Sequence, residues 1–249
     1  MDAPSFGPPL EPLPEDFASV LCVVAHPDDI EYGTAAAVAR WTEAGKTVTY
    51  FLLTRGEAGI DTMAPGEAGP VREAEERASA AVVGVTEVDF GSHRDGTVEY
   101  GLDLRRDIAR EIRRRRPDLV VTGDYGDRFV AGMLNQADHR AVGLATVDAV
   151  ADAGNRWIFP ELVDDGFEPW HVGMLAFAGS PRPTHYVDVG DKVAVAVESL
   201  EAHTAYNSAL PDEFPKPDQL VPMILEMGAQ AAQADGVTHA LALDVVNRR

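Results

Sequence analysis

Ser19-Val-Leu-Cys-Val-Val-Ala-His-Pro-Asp-Asp-Ile-Glu31 runs from an uninterrupted apolar segment straight into a histidine, a proline and two adjacent carboxylates. The stretch from Val20 to Ala25 is short, rich in β-branched residues and apolar throughout, the pattern of a strand buried on both faces of a parallel sheet. Pro27 has no N–H to give to a ladder, so the strand ends between His26 and Asp28. The polar cluster is thereby placed at the carboxyl end of a central strand, where open α/β sheets put their ligand sites. The His26 imidazole and the carboxylates of Asp28, Asp29 and Glu31 then crowd into one tight turn. Like charges so close would repel and raise each other's pKa values, and a divalent cation removes that cost. The stretch reads as half of a metal site.

The other half must come from a distant segment. Asp138-His139 follows the loop Gly132 to Ala137 and opens a helical pattern from Arg140 to Ala151. Asp138 suits a helix N-cap, which puts His139 in the first turn, facing the sheet edge. Catalytic zinc commonly takes three protein ligands and keeps a position for water. His26, one aspartate of the pair and His139 give that count, and spacing leaves open which aspartate binds.

Outward from this stretch, helices and strands alternate. Glu31 to Ala44 reads as a helix ended by Gly45, and Thr47 to Leu53 as a strand. Val71 to Val83 reads as a helix, Val85 to Phe90 as a strand, Leu102 to Arg116 as a helix, and Asp118 to Thr122 as a strand. This βαβ rhythm predicts a Rossmann-like three-layer α/β sandwich with a mostly parallel central sheet. Later strands are expected at Val172 to Phe177 and His185 to Val189, and a helix at Val193 to Tyr206. The expected organisation is a Pro-rich arm over 1–18, packed on the domain or on a neighbouring subunit, a catalytic domain over 19–210, and a C-terminal extension over 211–249 packing on it. The arginines of the helix ending at Arg116 read as a basic helix terminus that favours the macrodipole and solvates a face, in preference to a phosphate site.

Ala25-His26-Pro27-Asp28-Asp29-Ile30-Glu31 resembles the signature of the PIG-L/LmbE-like zinc-dependent de-N-acetylases. The likeness continues through Leu53 to Gly59, Val71 to Gly84, Arg94-Asp95-Gly96 and Ala137 to Arg140, and more faintly at Ala202-His203. The resemblance implies that His26, Asp29 and His139 bind zinc and that Asp28 is the general base. Zinc is also the natural metal by ligand type, although a shell with two or three oxygens suits iron, cobalt or nickel. One departure stands out. Where the family usually has a histidine, this chain has Gln136, which can donate a hydrogen bond to an oxyanion but cannot act as an acid near neutral pH. That leaves Asp28 as acid and base together, or brings in His93, His171, His185 or His203 as a substitute.

Amide hydrolysis needs an activated water, a stabilised oxyanion and a proton for the departing nitrogen. Zinc lowers the pKa of bound water toward ~7 and polarises the carbonyl, and a carboxylate beside it can take the proton and return it to the amine. For substrate binding the candidates are Arg55, Arg72, Asp95 and Gln136. Arg55 follows the second strand in a loop whose glycines let backbone approach a ligand closely. Arg72 has a competing reading as a helical salt bridge with Glu75 or Glu76. Asp95 can accept hydrogen bonds from a sugar.

Composition sets the remaining bounds. A chain of 249 residues with 45% hydrophobic and 25% charged residues is ordinary for one α/β domain with a sizeable core. A formal net charge of −20 argues against nucleic acid and anionic membranes as partners. Cys22 is the one cysteine, which excludes an intrachain disulfide and a thiolate-rich metal site. Met1 to Phe17 lacks the basic start and apolar run of a signal peptide, and no apolar stretch is long enough for a membrane span, so a cytoplasmic location is expected. The expected function is a zinc amidohydrolase that removes an acetyl or other short acyl group from a small amino sugar or its conjugate. Alternatives are an O-deacetylase or secondary-metabolite tailoring enzyme with the same metal, and a nucleotide- or sugar-binding module. The last is disfavoured because no Gly-x-Gly-x-x-Gly follows the first strand and binding does not need clustered carboxylates. A homo-oligomer is compatible with the Pro-rich arm and the apolar late segments.

Overall fold

A computed structural model describes residues 8–129 and 132–248. Residues 1–7 of the expected arm and Arg249 of the expected extension lie outside the described residues. The first half of the chain forms β1 (Glu11–Pro12), β2 (Ser19–Val24), α1 (Thr34–Glu43), β3 (Thr47–Leu52), α2 (Pro65–Val82), β4 (Glu87–Phe90), α3 (Leu102–Arg115) and β5 (Leu119–Gly123). The second half forms α4 (Ala137–Ala153), α5 (Pro160–Asp164), β6 (Met174–Ala178), β7 (His185–Asp188), α6 (Val193–Glu201), α7 (Thr204–Ala209), α8 (Pro217–Ala232) and β8 (Ala240–Asn247).

Among the described residues the strands make one sheet, ordered β1-β7-β8-β6-β5-β2-β3-β4. β8 runs antiparallel to its neighbours β6 and β7, and the other paired strands run parallel. β2 lies between β3 and β5, in register Val24 to Leu52 and Val23 to Thr122. Its alternate residues feed two cores. Val20, Cys22 and Val24 pack with Trp41, Leu200 and Leu225 on one face. Leu21, Val23 and Ala25 pack with Ile108, Ile112 and Ala145 on the other. Burial on both sides is why the run tolerates no polar residue, each large aliphatic side chain contributing on the order of 1.5–3 kcal/mol. From β2 the chain winds outward through β3 to β4, then crosses back to β5 on the other side. The carboxyl end of β2 is therefore the topological switch point, where such sheets open a crevice.

Three segments differ from the sequence reading. α2 begins at Pro65 and runs through Pro70, a residue that reads as a break in the sequence. The helix expected over Val193 to Tyr206 is two helices, interrupted at Ala202-His203. The tail is built into the sheet, because β8 inserts between β6 and β7. α8 crosses β8 so closely that a Cβ at Gly228 would lie 1.9 Å from the Ala240 carbonyl oxygen.

The basic end of α3 is used internally. Arg114 pairs with Glu111 and Asp89, and Arg115 with Glu87 and Asp89. Arg113 departs from the expected solvated face: it is 2% exposed and donates to the carbonyls of Asp152, Ala153, Asn155, Ile158 and Phe159. It thereby satisfies orphan carbonyls at and beyond the end of α4. Arg113→Ala is expected to lower unfolding stability by about 2–4 kcal/mol, because buried carbonyls lose their donor. Chemical denaturation checks this as a lowered midpoint at unchanged slope.

Candidate metal centre

The turn after β2 closes on itself: the Glu31 amide donates to the Asp28 carbonyl at 3.0 Å and the Asp29 amide to the His26 carbonyl at 3.4 Å. Asp29 Oδ2 accepts the amides of Ala25 and His26 at 3.0 and 2.9 Å. This anchors the carboxylate over the strand end while its Oδ1 sits 3.0 Å from His139 Nε2. His26 Nδ1 lies 3.2 Å from the same His139 nitrogen and 3.7 Å from Asp29 Oδ2. Two imidazole nitrogens and a carboxylate thus converge on one point.

The second nitrogen of His26 is held as well. Its Nε2 is 3.1 Å from Asp95 Oδ1 and 3.2 Å from Asp138 Oδ2. A proton on Nε2 satisfies those acceptors and turns the Nδ1 lone pair toward Asp29 and His139, the outer-shell arrangement that orients metal-bound histidines. Burial works against a charged His26, yet hydrogen bonds to Asp138, Asp29 and Asp95 hold its pKa well above the usual value. His139 behaves alike: burial lowers it, and the Asp29 charge outweighs that and raises it. Burial also opposes ionisation of Asp29, but the two histidines keep its carboxyl well below the usual range. The carboxylates draw positive charge to the point where the donor atoms meet. A divalent cation answers the same demand, and this donor set suits zinc.

Asp28 is adjacent in sequence but faces elsewhere. Its backbone is left-handed, φ 86°, an uncommon conformation outside glycine. Its Oδ1 lies 3.1 Å from Arg72 Nη2, and its Oδ2 accepts from the Tyr32 hydroxyl at 3.2 Å. Burial pushes the Asp28 carboxyl up to about 6, with Arg72 pulling it down and Asp29 raising it. The turn therefore presents two carboxylates with different environments, one ionised among histidines and one buried beside a guanidinium.

His26, Asp28, Asp29 and His139 are brought together, and Asp95 joins them through His26. Several expected roles change. Asp138 is not the N-cap of α4, which is Gln136; its carboxylate instead accepts the Gly96 and Val98 amides at 2.8 and 3.1 Å. It fastens the Arg94-Asp95-Gly96 loop to the centre. Asp95 has both oxygens engaged by the protein, Oδ1 at His26 and Oδ2 accepting the Ala58 amide at 2.8 Å. Arg72 is committed to protein partners, and its ion pair is with Asp28 in place of the helical pair with Glu75 or Glu76. It is 2% exposed, bonded to the Pro27 and Gly56 carbonyls and stacked 3.9 Å over the Tyr206 ring. The glycines after β3 make room for it: a Cβ would lie 2.5 Å from its Nη1 at Gly56, where φ is +62°, and 2.3 Å at Gly59. Arg55 is exposed and paired with Glu73 at 2.8 Å, and Gln136 is exposed.

The histidines considered as substitutes for a histidine at 136 have varied surroundings. His93 pairs with Asp107 at 3.1 Å, His185 with the Thr184 hydroxyl at 2.8 Å, and His171 packs near Gly154. His203 is fully buried near Glu31 and Glu76. Sequence reasoning missed Tyr32, Tyr206 and Phe129, whose ring centroid lies 5.7 Å from that of His139. Tyr32 carries a faint signal, since it follows Asp28 by four positions.

Known proteins of related sequence and architecture exist. The profile of a family described as GlcNAc-PI de-N-acetylase (PIG-L) matches residues 21–150. The chain is 30% identical over 193 residues to the diacetylchitobiose deacetylase of Thermococcus kodakarensis, covering 76% of this chain and 70% of that protein. Among solved structures, N,N'-diacetylchitobiose deacetylase from Pyrococcus horikoshii superposes with a TM-score of 0.82 at 23% identity, covering 94% of this chain and 85% of that one. GalB, the 4-carboxy-2-hydroxymuconate hydratase from Pseudomonas putida, superposes with a TM-score of 0.76 at 19% identity, covering 93% of this chain and 97% of that one. At these identities the two structures speak for the fold.

Proposed function

The chain belongs to the PIG-L family, and from that premise we propose that it hydrolyses the N-acetyl, or another short N-acyl, amide of an amino sugar or amino-sugar conjugate. His26 Nδ1, Asp29 and His139 Nε2 would hold a divalent ion, zinc by donor type. The observation that carries this reading is their convergence beside a separate buried carboxylate, Asp28, within the same turn. When bound, the ion would lower the pKa of a water and polarise the acyl carbonyl. The rest of the chemistry falls to the chain. Asp28 accepts the proton of the attacking water at its carboxylate and returns it to the nitrogen as the C–N bond breaks. Arg72 and Tyr32 fix the direction of that carboxylate. Asp95 and Asp138 fix the tautomer and orientation of His26. Gln136, exposed beside the start of α4, donates a hydrogen bond to the acyl oxygen, and Arg55 contacts sugar hydroxyls from the rim.

A net charge of −20 disfavours a nucleic acid as the substrate. Among the described residues no helix is long and apolar enough to cross a membrane. Fold alone does not choose the reaction, as the hydratase of the same architecture makes plain. The test is acetate release from N-acetylglucosamine and N,N'-diacetylchitobiose, beside an O-acetylated sugar, before and after chelation. Acetate from the amides, lost on chelation and restored by zinc, is the expected result. Release from the O-acetyl sugar only, or full activity after chelation, contradicts the proposal.

Gly59→Ala gives an internal check. A methyl group there displaces the Arg72 guanidinium from Asp28, so kcat is expected to fall about 10- to 100-fold, as small misplacements of a catalytic group do. The metal content should stay at the wild-type value, because the atoms nearest an added methyl belong to Arg72 and Gly56 and not to the three ligands.

A further inference from the structure

Directly behind the turn, among the described residues, lies a second grouping of His and carboxylates that the reaction does not use: Glu31, Glu76 and His203, each 0% exposed. His203 Nε2 is 3.7 Å from Glu76 Oε2 and 3.8 Å from Glu31 Oε2. Glu31 Oε1 accepts from the Ser79 hydroxyl at 2.6 Å. Glu76 Oε2 reaches out of this interior to accept the backbone amide of Asp28 at 3.2 Å. Four residues earlier on α2, and so on the same face, Arg72 donates to the Pro27 carbonyl at 2.5 Å and pairs with the Asp28 carboxylate at 3.1 Å.

We propose that Arg72 and Glu76 form a two-residue clamp that α2 closes on residue 28, holding its left-handed backbone and aiming its carboxylate away from the metal ligands. Arg72 grips the carbonyl before Asp28 and the side chain of Asp28. Glu76 grips the amide between them. A left-handed non-glycine residue persists where its surroundings over-determine it, and here one helix face supplies two contacts to Asp28 and one to the Pro27 carbonyl before it. The consequence is chemical. With residue 28 twisted, the neighbouring aspartates diverge, so one can ligate while the other handles protons. His203 stands behind Glu76, placed there by the break between α6 and α7. The Glu75 carboxylate accepts from the Thr204 hydroxyl at 3.0 Å and the Ala205 amide at 2.5 Å, tying α7 to α2 so that Tyr206 covers the Arg72 guanidinium. Arg72, Glu76 and His203 are positioning residues that act through Asp28.

The kinetic part of the test rests on the proposed amide hydrolysis; the exchange part does not. Amide hydrogen exchange by NMR on the metal-loaded wild type should show the Asp28 amide protected like a core amide, although it sits in a turn. In Glu76→Leu, which keeps a side chain of comparable size but has no acceptor, that protection should fall and kcat should drop about 100-fold, the scale of a misplaced catalytic group, with KM and metal content near wild type. Glu76→Gln keeps a carbonyl acceptor and should recover most of the lost rate and of the protection. An Asp28 amide that exchanges freely in the wild type overturns the clamp, even if Glu76→Leu fails to fold or no acetamido sugar is hydrolysed. So does a Leu variant with wild-type kcat, or Gln and Leu variants equally impaired. A second equivalent of metal in the wild type, lost in Glu76→Gln and in His203→Gln, would make the grouping a metal site and overturn the clamp as well.

Discussion

Asp28→Asn is expected to leave the bound metal in place and to lower kcat by roughly 10²–10⁴-fold, the range that a positioned general acid–base group supplies. The substitution is nearly isosteric, and the carboxylate it removes is not among the three converging donors. Asparagine can still accept from Arg72 through its carbonyl oxygen and donate its amide N–H to the Tyr32 hydroxyl oxygen, so the turn should survive. What is lost is a group able to take a proton and give it back. Burial raises this carboxyl to about 6 while Arg72 restrains the rise, placing it nearer neutrality than an exposed aspartate. Because Gln136 stands where a second acid–base group would be expected, little residual proton transfer should remain. Metal analysis together with the rate of acetate release checks both halves of the prediction.

His139→Ala is expected to remove both metal and activity. Its Nε2 faces Asp29 Oδ1 at 3.0 Å and His26 Nδ1 at 3.2 Å, so it is the only donor of the three supplied by α4. Its loss leaves two ligands from one turn, which cannot enclose an ion. The fall in affinity should exceed the roughly 10- to 100-fold that loss of an outer-shell partner costs. The fold should hold, because the ring is only partly buried and the helix around it is anchored by Asp138. Titration with zinc, read as bound metal per chain and as recovered rate, checks this; a variant that binds metal as tightly as wild type would contradict it.

The elements most legible in the sequence were those whose physics is local. The apolar run ending at Pro27 marks the central strand, and the charges crowded behind it mark the proposed site, because strand burial and like-charge repulsion are both decided within a few residues. His139 was reachable too, as a lone imidazole at a helix start. The less legible features depend on distant parts of the chain. Arg72 looked outward to a sugar or along α2 to Glu75 and Glu76, but the fold delivers Asp28 to it from another segment. Asp138 has the right chemistry for an N-cap and is used instead on the Gly96 and Val98 amides. The glycines after β3 read as room for a ligand, and the group they admit is a protein guanidinium. The tail carried no clear strand signal, since β8 owes its place to antiparallel pairing with β6 and β7. Nothing in the run Pro27-Asp28-Asp29 announces a left-handed residue, whose conformation is imposed from α2.

A crystal structure grown with zinc, with anomalous data collected on either side of the zinc edge, tests the proposed metal centre. One ion is expected, bonded to His26 Nδ1, Asp29 and His139 Nε2 at about 2.0–2.2 Å, the usual zinc–nitrogen and zinc–oxygen lengths, with the Asp28 carboxylate outside the coordination shell and still paired with Arg72. An ion bonded to Asp28, or one seated among Glu31, Glu76 and His203 with the first site unfilled at saturating zinc, would contradict it.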